Sequence, residues 1–218
     1  MNNKKFTKLY YFSFEGETEK WYLEWLEREL NVSEMLNYKV SFKLIGKNPV
    51  KAVKRLGLLY KTNIYHICDY EDEQSDRILK SAIDSIRMAE KINNIKYYLA
   101  YSNLAFELWL ILHKRAFNKR LVNNSAYLQY INLCYDEKFR SLNEYKEEKN
   151  FKKILSKLSL NNVRTAIENA KRIMQNNKNN CFELCDYRKE KYYKENPSIS
   201  VHKIIEQILN KDIKNKFI

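Results

Sequence analysis

Across the first hundred residues, four short apolar or aromatic segments alternate with three amphipathic stretches, and that alternation leaves few folds open. Tyr10–Phe14 is aromatic and stops at Glu15-Gly16. Lys39–Ile45 (KVSFKLI) alternates polar and apolar residues, Asn63–Cys68 (NIYHIC) is almost continuously apolar, and Lys96–Tyr101 (KYYLAY) is a fourth run of the same kind. Between them, Trp21, Tyr22, Trp25, Leu26 and Leu30 recur at helical spacing, with Thr18 as the expected cap. Val50, Val53, Leu56 and Tyr60 do so behind Pro49, and Leu79, Ile83, Ile86 and Ala89 behind Ser75. A β-α-β-α-β-α-β order with helices long enough for crossovers predicts an α/β fold with a parallel sheet covered by helices.

The remainder differs. From Phe106 onward the periodicity predicts only helices, over Phe106–His113, Ser125–Tyr135, Asn143–Leu158, Asn162–Asn176 and Val201–Leu209. Asn176–Asn180 and Tyr187–Pro197 (YRKEKYYKENP) are the segments least expected to fold. The expected organisation is an α/β domain over residues 4–101 and a helical extension over 102–218 that packs on the functional edge.

In a parallel sheet the carboxyl ends of the strands share one edge, and ligands bind there. Glu15 follows the first strand, while Asp69, Glu71 and Asp72 follow the third, so the two acidic groups are expected to be neighbours. Carboxylates so gathered repel one another unless a cation joins them, and an oxygen-only set suits Mg²⁺ or Mn²⁺. The bland alternative is an acidic loop that favours the positive end of a helix, which describes DYEDE by itself as well as a metal site does.

Composition narrows the classes. Of 218 residues 44% are hydrophobic, enough for a core, and no run approaches membrane-spanning length, so a cytoplasmic protein with no membrane partner is expected. Four scattered cysteines, Cys68, Cys134, Cys181 and Cys185, suit reduced thiols better than a disulfide framework. The net charge of +13 is permissive of a nucleic-acid partner, RNA or DNA, although 30 of the 40 basic residues are lysine, as an AT-biased genome alone would produce. Only three glycines are present and no P-loop pattern occurs, so any ATPase would be a separate partner.

Three longer blocks carry a resemblance. Glu15-Gly16 with Asp69-x-Glu71 looks like the Toprim pattern of E-G and D-x-D. FSFEGETEKWYLEWL resembles an "EG-x-TE-x-x-Y" opening, SNLAFELWLILH from Ser102 to His113 resembles "SNPCFELWLLLH", and NPSISVH from Asn196 to His202 resembles "NPST-x-VH". Together they resemble the RloB-like family, associated with restriction loci and abortive phage defence. The resemblance implies a Toprim-like parallel sheet with a helical C-terminal extension and a Mg²⁺- or Mn²⁺-dependent nuclease cleaving DNA or RNA such as tRNA. It also implies an AAA- or ABC-type ATPase encoded nearby. Glu15 would be the acid/base group or first metal ligand, and Asp69 with Glu71 would hold the ion. Glutamate at 71 departs from D-x-D, so that either Glu71 or Asp72 supplies the oxygen.

Further candidates follow. Glu107, a charge amid Phe106, Leu108, Trp109, Leu110 and Ile111, would be costly to bury without a cation, and so is a candidate for a second metal site or a lysine pair. Ser102 and Asn103 stand at the end of the fourth strand, where they would contact phosphate or shape the turn. His202 is either structural or, by the family block, a catalytic residue that faces substrate or acts as general acid. His113, Lys114, Arg115, Lys119 and Arg120 form the first nucleic-acid candidate. Arg188, Lys189, Lys191 and Lys194 interleaved with Tyr187, Tyr192 and Tyr193 form the second, gripping phosphates while tyrosines stack on bases. The competing reading is a non-catalytic nucleic-acid or nucleotide-binding module that keeps the sheet, and a more remote one is a phosphotransfer domain. The sequence leaves the oligomeric state open.

Overall fold

The computed structural model describes residues 6–33, 35–57, 61–70, 75–92 and 94–210. Tyr60, Glu71 and Asp72 lie outside the described residues.

Four strands and three helices alternate as expected: β1 (Thr7–Phe14), α1 (Glu17–Val32), β2 (Lys39–Leu44), α2 (Pro49–Leu56), β3 (Thr62–Tyr70), α3 (Ser75–Glu90) and β4 (Ile95–Asn103). β1 lies between β2 and β3, β4 follows β3, and all these pairs are parallel. Both faces are buried, and the side-chain alternation shows it. Tyr65 and Ile67 of β3 join Phe12, Phe14, Tyr22 and Leu26 on the α1 face, while Ile64, Cys68 and Tyr70 join α2 and α3 residues on the other. Pro49 opens α2 behind Asn48, whose side chain accepts the Lys51 N–H at 2.9 Å. Thr18 does not cap α1. The N-cap is Gly16, without a side-chain cap, and the Thr18 hydroxyl turns instead to Glu19.

The C-terminal region is mainly helical: α4 (Glu107–Leu112), α5 (Tyr127–Tyr135) after a 3-10 turn at Asn124–Ala126, α6 (Leu142–Tyr145), α7 (Glu148–Ser156), α8 (Leu160–Asn179) and α9 (Val201–Asn210). Two features depart from the expectation of helices alone. The single helix expected over 143–158 is broken between α6 and α7, where Glu147 is extended and the Asn150 side chain donates to the Glu144 carbonyl at 2.7 Å. Strands also appear. β5 (Leu184–Tyr187) and β6 (Glu190–Tyr193) form a hairpin, and β7 (Ser198–Ile199) pairs antiparallel with Ser102–Asn103 to end the sheet as β2-β1-β3-β4-β7.

The hairpin lies in the stretch least expected to fold, and its anchors explain why it does. Arg188 and Lys189 adopt positive φ of 49° and 72°, the conformation a two-residue hairpin turn demands, without the usual Asn-Gly. Tyr192 donates to Asp76 at 2.6 Å, Tyr187 to Asp84 at 3.1 Å, and Arg87 of α3 pairs with Glu190. Tyr192 and Tyr193 are buried and Tyr187 is engaged by Asp84, so the tyrosines of this cluster dock the hairpin on α3 instead of offering faces to bases.

Candidate functional site

The register of the parallel strands assembles the site. Phe14 pairs with Ile67, so Glu15 emerges beside Cys68 and one residue short of Asp69, and Glu15 Oε2 accepts the Asp69 N–H at 3.5 Å. Asp69 pairs in turn with Ser102 of β4. Glu15, Asp69 and the start of α4 are thereby brought to one edge.

Two carboxylates complete the cluster from helix starts. Glu107 is the first residue of α4 and is 1% exposed. Glu19, in the first turn of α1, is 2% exposed and accepts the Thr18 hydroxyl at 2.9 Å. Both sit where a helix favours negative charge. Burial raises the Glu19 carboxyl above its ordinary range, hydrogen bonds from its own backbone and Thr18 counter this, and Glu107 adds repulsion. Asp69 is raised further, first by burial and then by the charges of Glu19 and Glu107. Lys146, in the break between α6 and α7, is the cation of the group: its Nζ lies 3.1 Å from Glu107 Oε1. Burial works against that ammonium, but Glu107, with Asp69 and Glu19, holds its pKa above the usual lysine value.

The cluster opens into a cleft of about 250 Å³ lined by Glu15, Gly16, Glu17, Glu19, Asp69 and Lys146. Two oxygens, Asp69 Oδ1 and Glu107 Oε2, are buried without a hydrogen-bond partner among the described residues. Buried polar atoms are normally satisfied, so these carry an unmet demand that a hard, partly dehydrated cation fits by charge and by oxygen ligation. The donor set is oxygen only, and Mg²⁺ or Mn²⁺ match it. On the other face of the sheet, Glu15, His66 and Cys68 each place a ligand atom within 4.8 Å of the others. Burial drives the Cys68 thiol well above its ordinary pKa and His66 down to about 4, which leaves both neutral.

Gly16 has a defined reason to be glycine. Its backbone is extended, with φ −117° and ψ 168°, so conformation does not demand it, but a Cβ there would stand 2.5 Å from Glu19 Oε2. Gly16→Ala is expected to fold, because the end of a side chain can give way, and to push Glu19 out of the cluster. If the cluster takes up Mn²⁺, calorimetry should find the affinity reduced about ten-fold with the melting temperature shifted by no more than about 3 °C. Unchanged affinity would show that Glu19 takes no part.

The other candidates are placed differently. Ser102 is buried beside Asp69, and its Oγ has no hydrogen-bond partner among the described residues. Asn103 is buried and structural: its Nδ2 donates to the Lys194 carbonyl at 2.7 Å, and its own carbonyl accepts from Tyr127. His113 is fully buried, its Nδ1 on the Trp109 carbonyl at 2.8 Å and its Nε2 against the Tyr22 hydroxyl at 3.1 Å. It is a core residue and offers nucleic acid no surface, because the apolar α4 carries it inward. Lys114 is tied to the Lys157 carbonyl at 2.6 Å, whereas Arg115, Lys119 and Arg120 are exposed. His202 is buried at the start of α9, where Lys203, Lys171 and Glu168 are the charges acting on it.

Burial lowers the His113 pKa to about 3, against about 6.5 for an exposed imidazole. The neutral ring is the folded form, so its contribution to stability is complete above about pH 6.5 and is lost as pH falls toward 3; at pH 5 the cost is about 2 kcal/mol. Imidazole NMR should show no titration of His113 above pH 4, and a midpoint near 6.5 would contradict this.

Glu19 and Lys146 lie outside the candidate residues that sequence patterning indicates. Glu19 had a legible signal, since it occupies the same helical stripe as Tyr22, Leu23, Leu26 and Leu30, all of them buried. Lys146 had none, because only the break in the helix turns it toward Glu107.

No helix among the described residues is long and apolar enough to cross a membrane. No curated protein and no solved structure matches the chain. A family model described as RloB-like protein matches residues 10–208, most of the sequence and both halves of the acidic site. The chain belongs to the RloB-like family.

Proposed function

We propose that this chain is a Mg²⁺- or Mn²⁺-dependent nuclease that hydrolyses phosphodiester bonds in nucleic acid, RNA such as tRNA or DNA, on a Toprim-like sheet. The observation that carries this reading is one cleft lined by Glu15, Glu19, Asp69 and Lys146, whose ammonium pairs with Glu107, with Asp69 Oδ1 and Glu107 Oε2 buried and without a hydrogen-bond partner among the described residues. A divalent ion would supply charge neutralisation and Lewis acidity where negative charge gathers on a phosphoryl oxygen. Asp69 and Glu107 are the residues to hold it, with Glu19 packed against Gly16 and Glu15 at the open side of the cleft, where its carboxylate can hold an ion or a proton. Arg115, Lys119 and Arg120 are exposed and available to phosphates, which would make binding salt-dependent.

Family resemblance supports a role as a cytoplasmic effector in abortive phage defence. The same resemblance supports an AAA- or ABC-type ATPase as partner, which would be a separate chain because this sequence carries no P-loop pattern.

The test is to incubate the full chain with labelled RNA and DNA in Mg²⁺, Mn²⁺ or EDTA, beside Glu15→Gln and Asp69→Asn. Cleavage should require metal and both carboxylates, and product that persists in EDTA or in both variants removes the reading. One observation favours a second reading, a non-catalytic nucleic-acid-binding module: Lys146 already neutralises one carboxylate of the cluster. That module would bind equally well with and without Mg²⁺, would keep binding in Asp69→Asn, and would yield no product.

A further inference from the structure

The acidic cluster contains a cation of the chain's own, and the polypeptide interrupts a helix to bring it there. α6 ends at Tyr145 and α7 begins at Glu148, and Asn150 donates to the Glu144 carbonyl across the break. Tyr145 is fully buried, its ring centroid 5.9 Å from that of Phe139 and 5.7 Å from that of Phe151. The backbone at Lys146 is therefore anchored from behind. Its flexible stem runs forward, with the side chain 38% exposed and the Nζ at 3.1 Å from Glu107 Oε1.

This ammonium does not complete the cluster. Among the described residues, Glu107, Asp69 and Glu19 all act on the ammonium of Lys146, and Asp69 Oδ1 and Glu107 Oε2 have no hydrogen-bond partner. A divalent ion brings twice the charge and several coordination positions to the same oxygens. Ammonium and divalent ion both call on Glu107 and repel each other, so they compete for it. The exposed stem gives Lys146 a way out that the buried carboxylates lack.

We propose that Lys146 is a displaceable counter-cation: it holds Glu107 in the metal-free protein and is driven into the cleft beside Glu15 and Glu17 when a divalent ion enters. Lys146 thereby sets the affinity of the site for metal, and it couples metal occupancy to the release of a positive charge at the cleft mouth, where a phosphate would approach. The inference rests on the metal-dependent reading above.

The test is Mn²⁺ binding, followed by titration calorimetry and by the electron paramagnetic resonance of free Mn²⁺, on the full chain and on Lys146→Met and Lys146→Arg. Lys146→Met keeps the length of the stem without the charge and is expected to bind Mn²⁺ about ten-fold more tightly, which corresponds to about 1.4 kcal/mol. Lys146→Arg keeps the charge and should stay within about three-fold of the unmodified chain. In metal-free buffer Lys146→Met should melt below the unmodified chain, and saturating Mn²⁺ should close the gap. If the methionine variant does not fold without metal, Lys146→Gln, which retains a donor toward Glu107, makes the same comparison. Mn²⁺ binding by the unmodified chain with equal or weaker binding by the uncharged variants overturns this inference alone. Absence of Mn²⁺ binding by the unmodified chain overturns the metal-dependent reading and this inference with it.

Discussion

Asp69→Asn is expected to lower the proposed metal-dependent cleavage by on the order of 10²- to 10³-fold, a loss comparable to that from removing one preorganised electrostatic group from an active site. The same substitution is expected to raise the melting temperature of the metal-free protein. Asparagine keeps the shape of the side chain, so packing is preserved, but it removes a half-buried carboxyl group whose Oδ1 is closed off from solvent and which is set against Glu19 and Glu107. Like charges held together in a poorly solvated site cost stability until a cation joins them. Relief of about 1–2 kcal/mol would raise the transition by roughly 2–8 °C in a chain of this length. Mn²⁺ should raise the melting temperature of the unmodified chain and leave that of Asp69→Asn nearly unchanged, because a ligand stabilises only the form that binds it. Calorimetric scans with and without Mn²⁺ check the sign. A lower melting temperature for Asp69→Asn in metal-free buffer would mean that the carboxylate is stabilising where it stands, and the electrostatic account of the site would fail.

Trp109→Ala should be the most destabilising single truncation in α4, at about 3–5 kcal/mol, the range for removing a large aromatic side chain from a core. Every residue of α4 is buried, so the helix has no solvent-facing side into which the structure can relax. The Trp109 indole meets the Tyr22 ring edge-on at 6.3 Å and the His113 ring at 5.0 Å, while its carbonyl accepts from His113 Nδ1. Removing the indole leaves a void beside a polar pair, Tyr22 and His113, whose geometry it maintains. Glu107 opens the same helix, so metal affinity should fall along with stability. Urea denaturation measures the loss as a lower midpoint at nearly constant slope. A change below about 1 kcal/mol would show that the cavity collapses freely, contrary to a rigidly packed α4.

Much of this was legible in the sequence because it depended on local signals. Continuous apolar runs such as NIYHIC mark strands buried on both faces, and the apolar stripes between them mark crossover helices. Once the strands are parallel their carboxyl ends share an edge, so Glu15 and Asp69 could be paired across more than fifty residues without coordinates. Glu107 stood out as a charge within an apolar helix, and the structure places it among the carboxylates with a lysine at hand. Glu71 and Asp72 lie outside the described residues.

What was not legible depended on contacts between distant segments. The hairpin of β5 and β6 is short, charged and lacks a glycine turn. It is held by Asp76, Asp84 and Arg87 of α3, some hundred residues earlier, and no local pattern encodes such anchors. The two-residue strand β7 exists only because β4 offers it an edge. His113 looked like part of a basic surface because Lys114 and Arg115 follow it, yet the helix before it carries its ring into the core.

The sequence by itself determined the order of the first four strands and three helices and that Glu15 and Asp69 would share an edge, because periodicity and parallel topology are properties of the chain read in order. Tertiary structure alone decided that Glu19 turns inward against Gly16 and that a broken helix delivers Lys146 to Glu107. The charge balance of the site is therefore set by packing: whether a carboxylate is neutralised, repelled or left unpartnered depends on distances of a few ångströms between elements far apart in the chain.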